Sequence, residues 1–331
     1  MKQLGISIIG TDTDVGKTFV TGLLGAMAVD DGFAVGMVKP VSSSAVPFPE
    51  CVTMDEDNYN IGLESKDATH LMRSAGIPES RRHEVNPYAI AGDFSPRLAA
   101  ELAGIEIDYD GLVEHTLDVV SRYDITFVEG AGGITTPLYG DKTFTDFMKD
   151  IKLPAIVVAD GRLGSINRAV LTCEYAKLHG IEVKAIIVND TTAVDLFLLK
   201  TNVADMERYT GVPVVAVVPP YQGPDIHKVQ LGWARSFIDS KELWNTVLGL
   251  SLIHIFPLFL AELGLHDPGE AAMWAGLVSG VTPCMVALSA PYWSRKANQL
   301  GPRKVMMFIL FTLMVTVGAC AFTQTPWQLL M

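Results

Sequence analysis

Six short apolar runs punctuate the first 249 residues: LGISII (4–9), FAVGMV (33–38), ITFVEG (125–130), AIVVAD (155–160), KAIIVN (184–189) and PVVAVV (213–218). Most are continuously apolar, without polar alternation, as expected of strands covered on both faces. Between them lie helical segments at 17–31, 109–122, 165–179 and 195–209. Strand and helix alternating in this way predict a doubly wound α/β fold with a mainly parallel sheet. In such a fold, ligands bind at the carboxyl ends of the strands.

The pattern changes near residue 250. Residues 271–293 form a 23-residue run without charge, and 305–322 an 18-residue run. Their lengths predict an all-α apolar tail of two to three membrane-type helices. The loop between them, SRKANQLGPRK, carries four basic residues and no acidic one, which assigns it to the cytoplasmic side. For the two halves to share that side, a second crossing has to precede 271. The 243–261 stretch is the one available, and it holds Asn245, His254 and Pro257. Three parts are expected: a domain at 1–249, a junction at 250–255 and a helical segment at 256–331.

Composition sharpens this division. The mean hydropathy of +0.29 averages two unlike parts. From Leu250 onward the charged residues are Glu262, Asp267, Glu270, Arg295, Lys296, Arg303 and Lys304, so residues 1–249 carry a net charge of −13. An acidic domain gives no broad field for nucleic acid, and none is expected as a partner. Local phosphate binding stays open to it, because backbone amides and one lysine supply the field. The cysteines Cys51, Cys173, Cys284 and Cys320 form no CxxC pair, which argues against structural zinc or a disulfide framework. The N-terminus lacks the pattern of a signal peptide, and a cytoplasmic location is expected for 1–249.

Chemistry-bearing residues cluster at strand ends. GTDTDVGKT (10–18) follows the first strand and opens a helix. A glycine-rich turn there exposes amides that cradle phosphates, with Lys17 reaching the terminal phosphate and Thr18 ligating Mg²⁺. Five residues, one more than usual, separate Gly10 from Gly16, so the loop is a variant. ITFVEGAGG (125–133) delivers Glu129 at a strand end, the place of a Mg²⁺-holding carboxylate. In VKPVSSS (38–44), Lys39 stands beside Ser42 and Ser43 and could hold an anionic group. Asn189 closes another strand, either to read an adenine edge or as a turn residue.

Taken together, these stretches resemble dethiobiotin synthetases. GTDTDVGKT, KPVSS, VNPYAI, SPRLAA, VEGAGGITTPL, LGSINRAVLT and VND run in order through residues 4–245. The resemblance implies a P-loop NTPase-type fold and an ATP- and Mg²⁺-dependent ligase. Its substrates would be 7,8-diaminopelargonate and CO₂ or bicarbonate. It further implies that Lys17 and Lys39 bridge the γ-phosphate and a carbamate, and that Thr13 and Ser43 hydrogen-bond the reacting groups. Thr18, Asp67 and Glu129 would ligate Mg²⁺, although Asp67 in ESKDATHL also reads as a helix-cap aspartate. The nucleotide would be held by Asp14, Gly16, Lys17, Thr18 and Asn189. Pro219 would line the base pocket, and Asp225 is the candidate acid near the ribose. The backbone around Gly164 and Asn167 would take the substrate's carboxylate across a homodimer interface.

Two rival families share parts of this pattern. ParA/MinD-like partitioning ATPases need a lysine early in the loop, where this chain has Asp12. Cobyrinic and cobyric acid synthetases carry a downstream glutaminase domain, and nothing after residue 249 resembles one. The tail resembles instead the start of a major facilitator superfamily transporter, with at most three of about twelve helices. Membrane association would follow only if that tail is natural. LSLIHI (250–255) resembles the translation of a transposon mosaic end used in library preparation, CTGTCTCTTATACACATCT. That reading makes 250–255 an artefactual junction.

Overall fold

The computed structural model describes residues 4–47, 63–221, 223, 227–239, 243–244 and 246–247. The chain divides into two units, Met1–Gly249 and Leu250–Met331, and every described residue lies in the first. The apolar tail, the 250–255 junction and Asp225 lie outside the described residues. Among those that are described, no helix is long and apolar enough to cross a membrane.

Six strands form one sheet: β1 (Leu4–Gly10), β2 (Val35–Val38), β3 (Ile125–Gly133), β4 (Ala155–Asp160), β5 (Val183–Asn189) and β6 (Val214–Val218). Their order is β6-β5-β4-β1-β3-β2, and every neighbouring pair is parallel. The apolar runs become strands because both faces are covered. Ile6, Ile8, Phe127, Val157 and Ile187 have no exposed surface. Each such side chain contributes roughly 1.5–3 kcal/mol by leaving water.

Helices α1 (Lys17–Asp30), α2 (Lys66–Ala75), α3 (Arg82–Val85), α4 (Pro96–Ala103), α5 (Tyr109–Arg122), α6 (Phe144–Ile151), α7 (Ser165–Leu178), α8 (Leu196–Thr210) and α9 (His227–Ala234) complete the unit. Several start on a side-chain cap: Ser65 on α2, Ser95 with Pro96 on α4, Asp108 on α5 and Asp195 on α8. By contrast, α1 and α7 are capped by Gly16 and Gly164, both left-handed, with no side-chain hydrogen bond. These two helices follow the adjacent strands β1 and β4. The start of α1 therefore lies at the crevice where the strand order reverses, the expected place for a ligand.

Candidate active site

The glycine-rich loop between β1 and α1 wraps a lysine. Asp14 and Gly16 both take positive φ, 58° and 85°, and so accommodate the residue by which this loop exceeds the usual one. Gly16 tolerates no side chain: a Cβ there would stand 2.0 Å from Asn189 Nδ2. Asn189, 3% exposed at the end of β5, donates from that nitrogen to the Val15 carbonyl at 2.9 Å. It braces the loop from below. Lys17 folds back so that its Nζ donates to the Asp12 carbonyl at 3.1 Å.

Below the loop lies a dense charge cluster. Glu129, on β3, is fully buried. Its Oε1 accepts from Thr18 Oγ1 at 2.7 Å and from Lys39 Nζ at 2.5 Å. Lys39 Nζ also reaches the Gly130 carbonyl at 3.3 Å and pairs with Asp67 Oδ2 at 2.9 Å. Residues distant in sequence, from α1, the end of β2, α2 and β3, thus meet at a single point. Asn86, which the sequence reading gave no role, holds the Lys39 backbone by donating to its carbonyl at 2.7 Å.

Burial and neighbouring charge set these groups apart. Burial, followed by the positive charge of Lys39, pushes Lys17 down to about 8. Burial opposes the charge on Lys39 too, but Glu129 and Asp67 outweigh it and hold Lys39 above its ordinary value. Burial would raise Asp67, whereas the charge and hydrogen bond of Lys39 bring it below the usual carboxylate range.

A cleft of about 720 Å³ opens above this cluster. Of the sequence-derived candidates, Thr13, Asp14, Gly16, Lys17, Thr18, Lys39, Ser43 and Asp67 line it, with Glu129 at its floor. Asp67 lies in the first turn of α2, while Ser65 is the cap residue. Ser44 at φ 63°, Lys66 and Asp93 also line the cleft and carried no sequence signal of their own. Gly164 and Asn167 are exposed at the start of α7, away from the cleft lining. Pro219 follows β6, whose Val218 is in register with Asn189.

Hard oxygen donors suit a divalent cation. Thr18, Asp67 and Glu129 supply them, and Glu129 Oε2 is buried without a hydrogen-bond partner, an acceptor left over for a cation. A parallel sheet with a phosphate-type loop, a buried lysine and a carboxylate on the neighbouring strand defines a P-loop nucleotide-binding α/β protein. The AAA domain family matches residues 5–225. The ATP-dependent dethiobiotin synthetase of Bacillus thuringiensis (strain Al Hakam) is 34% identical over 235 residues, covering 71% of this chain and 90% of that protein. The corresponding protein of Bacillus cereus (strain G9842) is 33% identical over the same length, with the same coverage. The chain belongs to the ATP-dependent dethiobiotin synthetase family. Among solved structures, a ParA family ATPase from Chlorobium tepidum TLS aligns at 15% identity and a TM-score of 0.42, covering 75% of this chain and 98% of that one.

Proposed function

We propose that the chain closes the ureido ring of dethiobiotin from 7,8-diaminopelargonate, CO₂ and ATP. One amine takes up CO₂ as a carbamate. A carbamate oxygen then attacks the γ-phosphorus, and ADP leaves. The second amine attacks the carbonyl carbon of the mixed anhydride, the ring closes, and phosphate departs. No covalent enzyme nucleophile is required, so catalysis is positioning and charge stabilisation.

The observation that carries this reading is the convergence of Lys17 and Lys39 on one cleft above Glu129 and Asp67. Two ammonium groups suit a reaction in which carbamate, triphosphate and anhydride are all anionic. Lys17 serves the γ-phosphate, and Lys39 spans it and the carbamate. Thr13 and Ser43 hydrogen-bond the reacting groups. Thr18, Asp67 and Glu129 hold Mg²⁺, which neutralises the phosphate oxygens when bound. Asp14 and Gly16 shape the loop around the phosphates. Asn189 reads the base and Pro219 lines its pocket, and Asp225 is the candidate near the ribose. Gly164 and Asn167 take the substrate's carboxylate at the α7 N-terminus.

The working form is a homodimer in the cytoplasm. Exposed apolar side chains before and along α7 and at the start of α8 support the dimer: Leu163, Leu171, Leu178 and Phe197 are 83, 61, 80 and 81% exposed. We read 250–255 as a translated junction and 256–331 as an unrelated transporter fragment without transport activity. Codons at 250–255 that differ from the mosaic-end DNA would sink that reading.

The direct test supplies ATP, Mg²⁺, bicarbonate and 7,8-diaminopelargonate, and follows dethiobiotin and phosphate. Lys17→Ala abolishes turnover. Phosphate release that ignores the diamine would overturn the synthetase reading in favour of a switch ATPase.

A further inference from the structure

The loop joining β4 to α7 carries a charge cluster that no step above uses. Asp160 ends β4 and is 1% exposed. A carboxylate so far from water has to be fully paired. Arg168 Nη2 donates to both of its oxygens at 2.8 Å. Arg162 reaches Oδ2 through Nε at 3.0 Å and Nη2 at 2.6 Å, and its backbone amide approaches Oδ1 at 3.3 Å. From α8, buried Asn202 donates through Nδ2 to the carbonyls of Gly161 at 2.9 Å and Arg162 at 3.4 Å. Gly161 is packed so closely that a Cβ would stand 2.6 Å from Leu199 Cδ1. The loop is therefore fixed from three elements: β4, α7 and α8.

Neither sequence spacing nor secondary structure requires this arrangement. A turn from strand to helix can be closed by glycines and backbone bonds alone. Here a buried acid holds two arginines, and the turn so fixed ends at the start of α7, which has no side-chain cap. Fixed amides and fixed guanidiniums at one helix start make a rigid electropositive frame.

We propose that Asp160 is a positioning residue for the synthetase reaction, holding Arg162 and Arg168 so that the 161–164 loop presents the α7 N-terminus to the carboxylate of the diamine substrate. This rests on the assignment of that carboxylate to Gly164 and Asn167 made above. Asp160 itself touches no substrate. Its loss loosens the frame without disturbing Lys17 or Lys39, so recognition of the carboxylate weakens while phosphoryl transfer is spared.

The sign of the effect separates geometry from charge. Asp160→Asn makes the region more positive. If net charge alone governed binding, KM for the anionic diamine would fall. The positioning role requires it to rise, by about tenfold, with kcat and KM for ATP within about twofold of the parent. The full chain is assayed with 7,8-diaminopelargonate and with 2,3-diaminooctane, the same diamine without its carboxylate. KM for the latter is expected to be higher in the parent and unchanged by the substitution. A fall, no change, or an equal rise for both diamines in Asp160→Asn would overturn the positioning role alone. Equal KM values for the two diamines in the parent would overturn the carboxylate assignment and, with it, this proposal. Should Asp160→Asn fail to fold, Arg168→Lys carries the same test, since it keeps the charge and loses the planar guanidinium whose Nη2 reaches both Asp160 oxygens. A rise in KM confined to the carboxylated diamine is again the expected result, and its absence the overturning one.

Discussion

At the scale of single residues, the two lysines divide the work by their surroundings. Lys17 titrates near 8 because it is buried beside another cation. Its ammonium form binds the triphosphate. Below pH 8 that form dominates, and Lys17 gives ATP affinity no pH dependence. Above pH 8 a proton must be taken up on binding, so the apparent Kd weakens toward about tenfold per pH unit. Calorimetry at pH 7, 8 and 9, in buffers of different ionisation enthalpy, is expected to show that uptake; Lys17→Arg removes it, because a guanidinium stays charged. Lys39 has another task. It neutralises Glu129, which has no exposed surface. Lys39→Met is expected to destabilise the protein by about 3 kcal/mol in urea denaturation, since a buried carboxylate loses its partner. Lys39→Met with Glu129→Gln is expected to recover at least half of that loss. A double variant no more stable than the single one would show that the pair is not coupled in this way.

At the scale of elements, the loops are set by steric contact as much as by charge. Gly16 and Gly32 both have strongly positive φ, 85° and 89°. Yet a Cβ on Gly32 meets nothing within 4 Å, while one on Gly16 meets Asn189. Gly32→Ala therefore bears only backbone strain, about 1 kcal/mol, and leaves nucleotide affinity intact. Gly16→Ala bears the strain and displaces the brace from Val15, so ATP affinity falls by more than about tenfold. Titration of both variants with ATP separates the two effects. The same contrast explains what was legible in the sequence. The six sheet strands and helices α1, α5, α7 and α8 show in short apolar runs and the segments between them, with ends shifted by at most three residues. The short helices α2, α4 and α6, and two- or three-residue pairs such as Val46–Pro47 with Leu63–Glu64, are too brief for periodicity to reveal. Lys17 and Thr18 were legible from the glycine-rich loop that they close, and Lys39 and Glu129 from the ends of the apolar runs at 33–38 and 125–130. The Asp160 cluster was not, because Arg162 and Arg168 reach it only once the strand has turned into α7.

At the scale of the whole molecule, the cleft and the α7 N-terminus pose one geometric problem. Gly164 and Asn167 are exposed and do not line the cleft that holds Lys17 and Lys39. A substrate bound to both sets of groups is readily served if the α7 start of a second copy approaches the cleft of the first. The exposed leucines of α7 give such a copy an apolar surface to cover, and a two-fold axis would place the same patch on both partners. Leu171 belongs to that surface, 61% exposed, so its replacement leaves the core untouched. Leu171→Arg is expected to yield a folded monomer by light scattering, where a dimer is expected of the parent, because a charge would enter the apolar surface proposed to pair. Its ATP affinity should match the parent's, since every group in the phosphate loop belongs to one chain. Synthesis of dethiobiotin should fall by at least about tenfold and return in part at high diamine concentration. A Leu171→Arg monomer with full synthetase activity would show instead that one chain completes its own site, and that the carboxylate of the substrate is held by groups other than the start of α7.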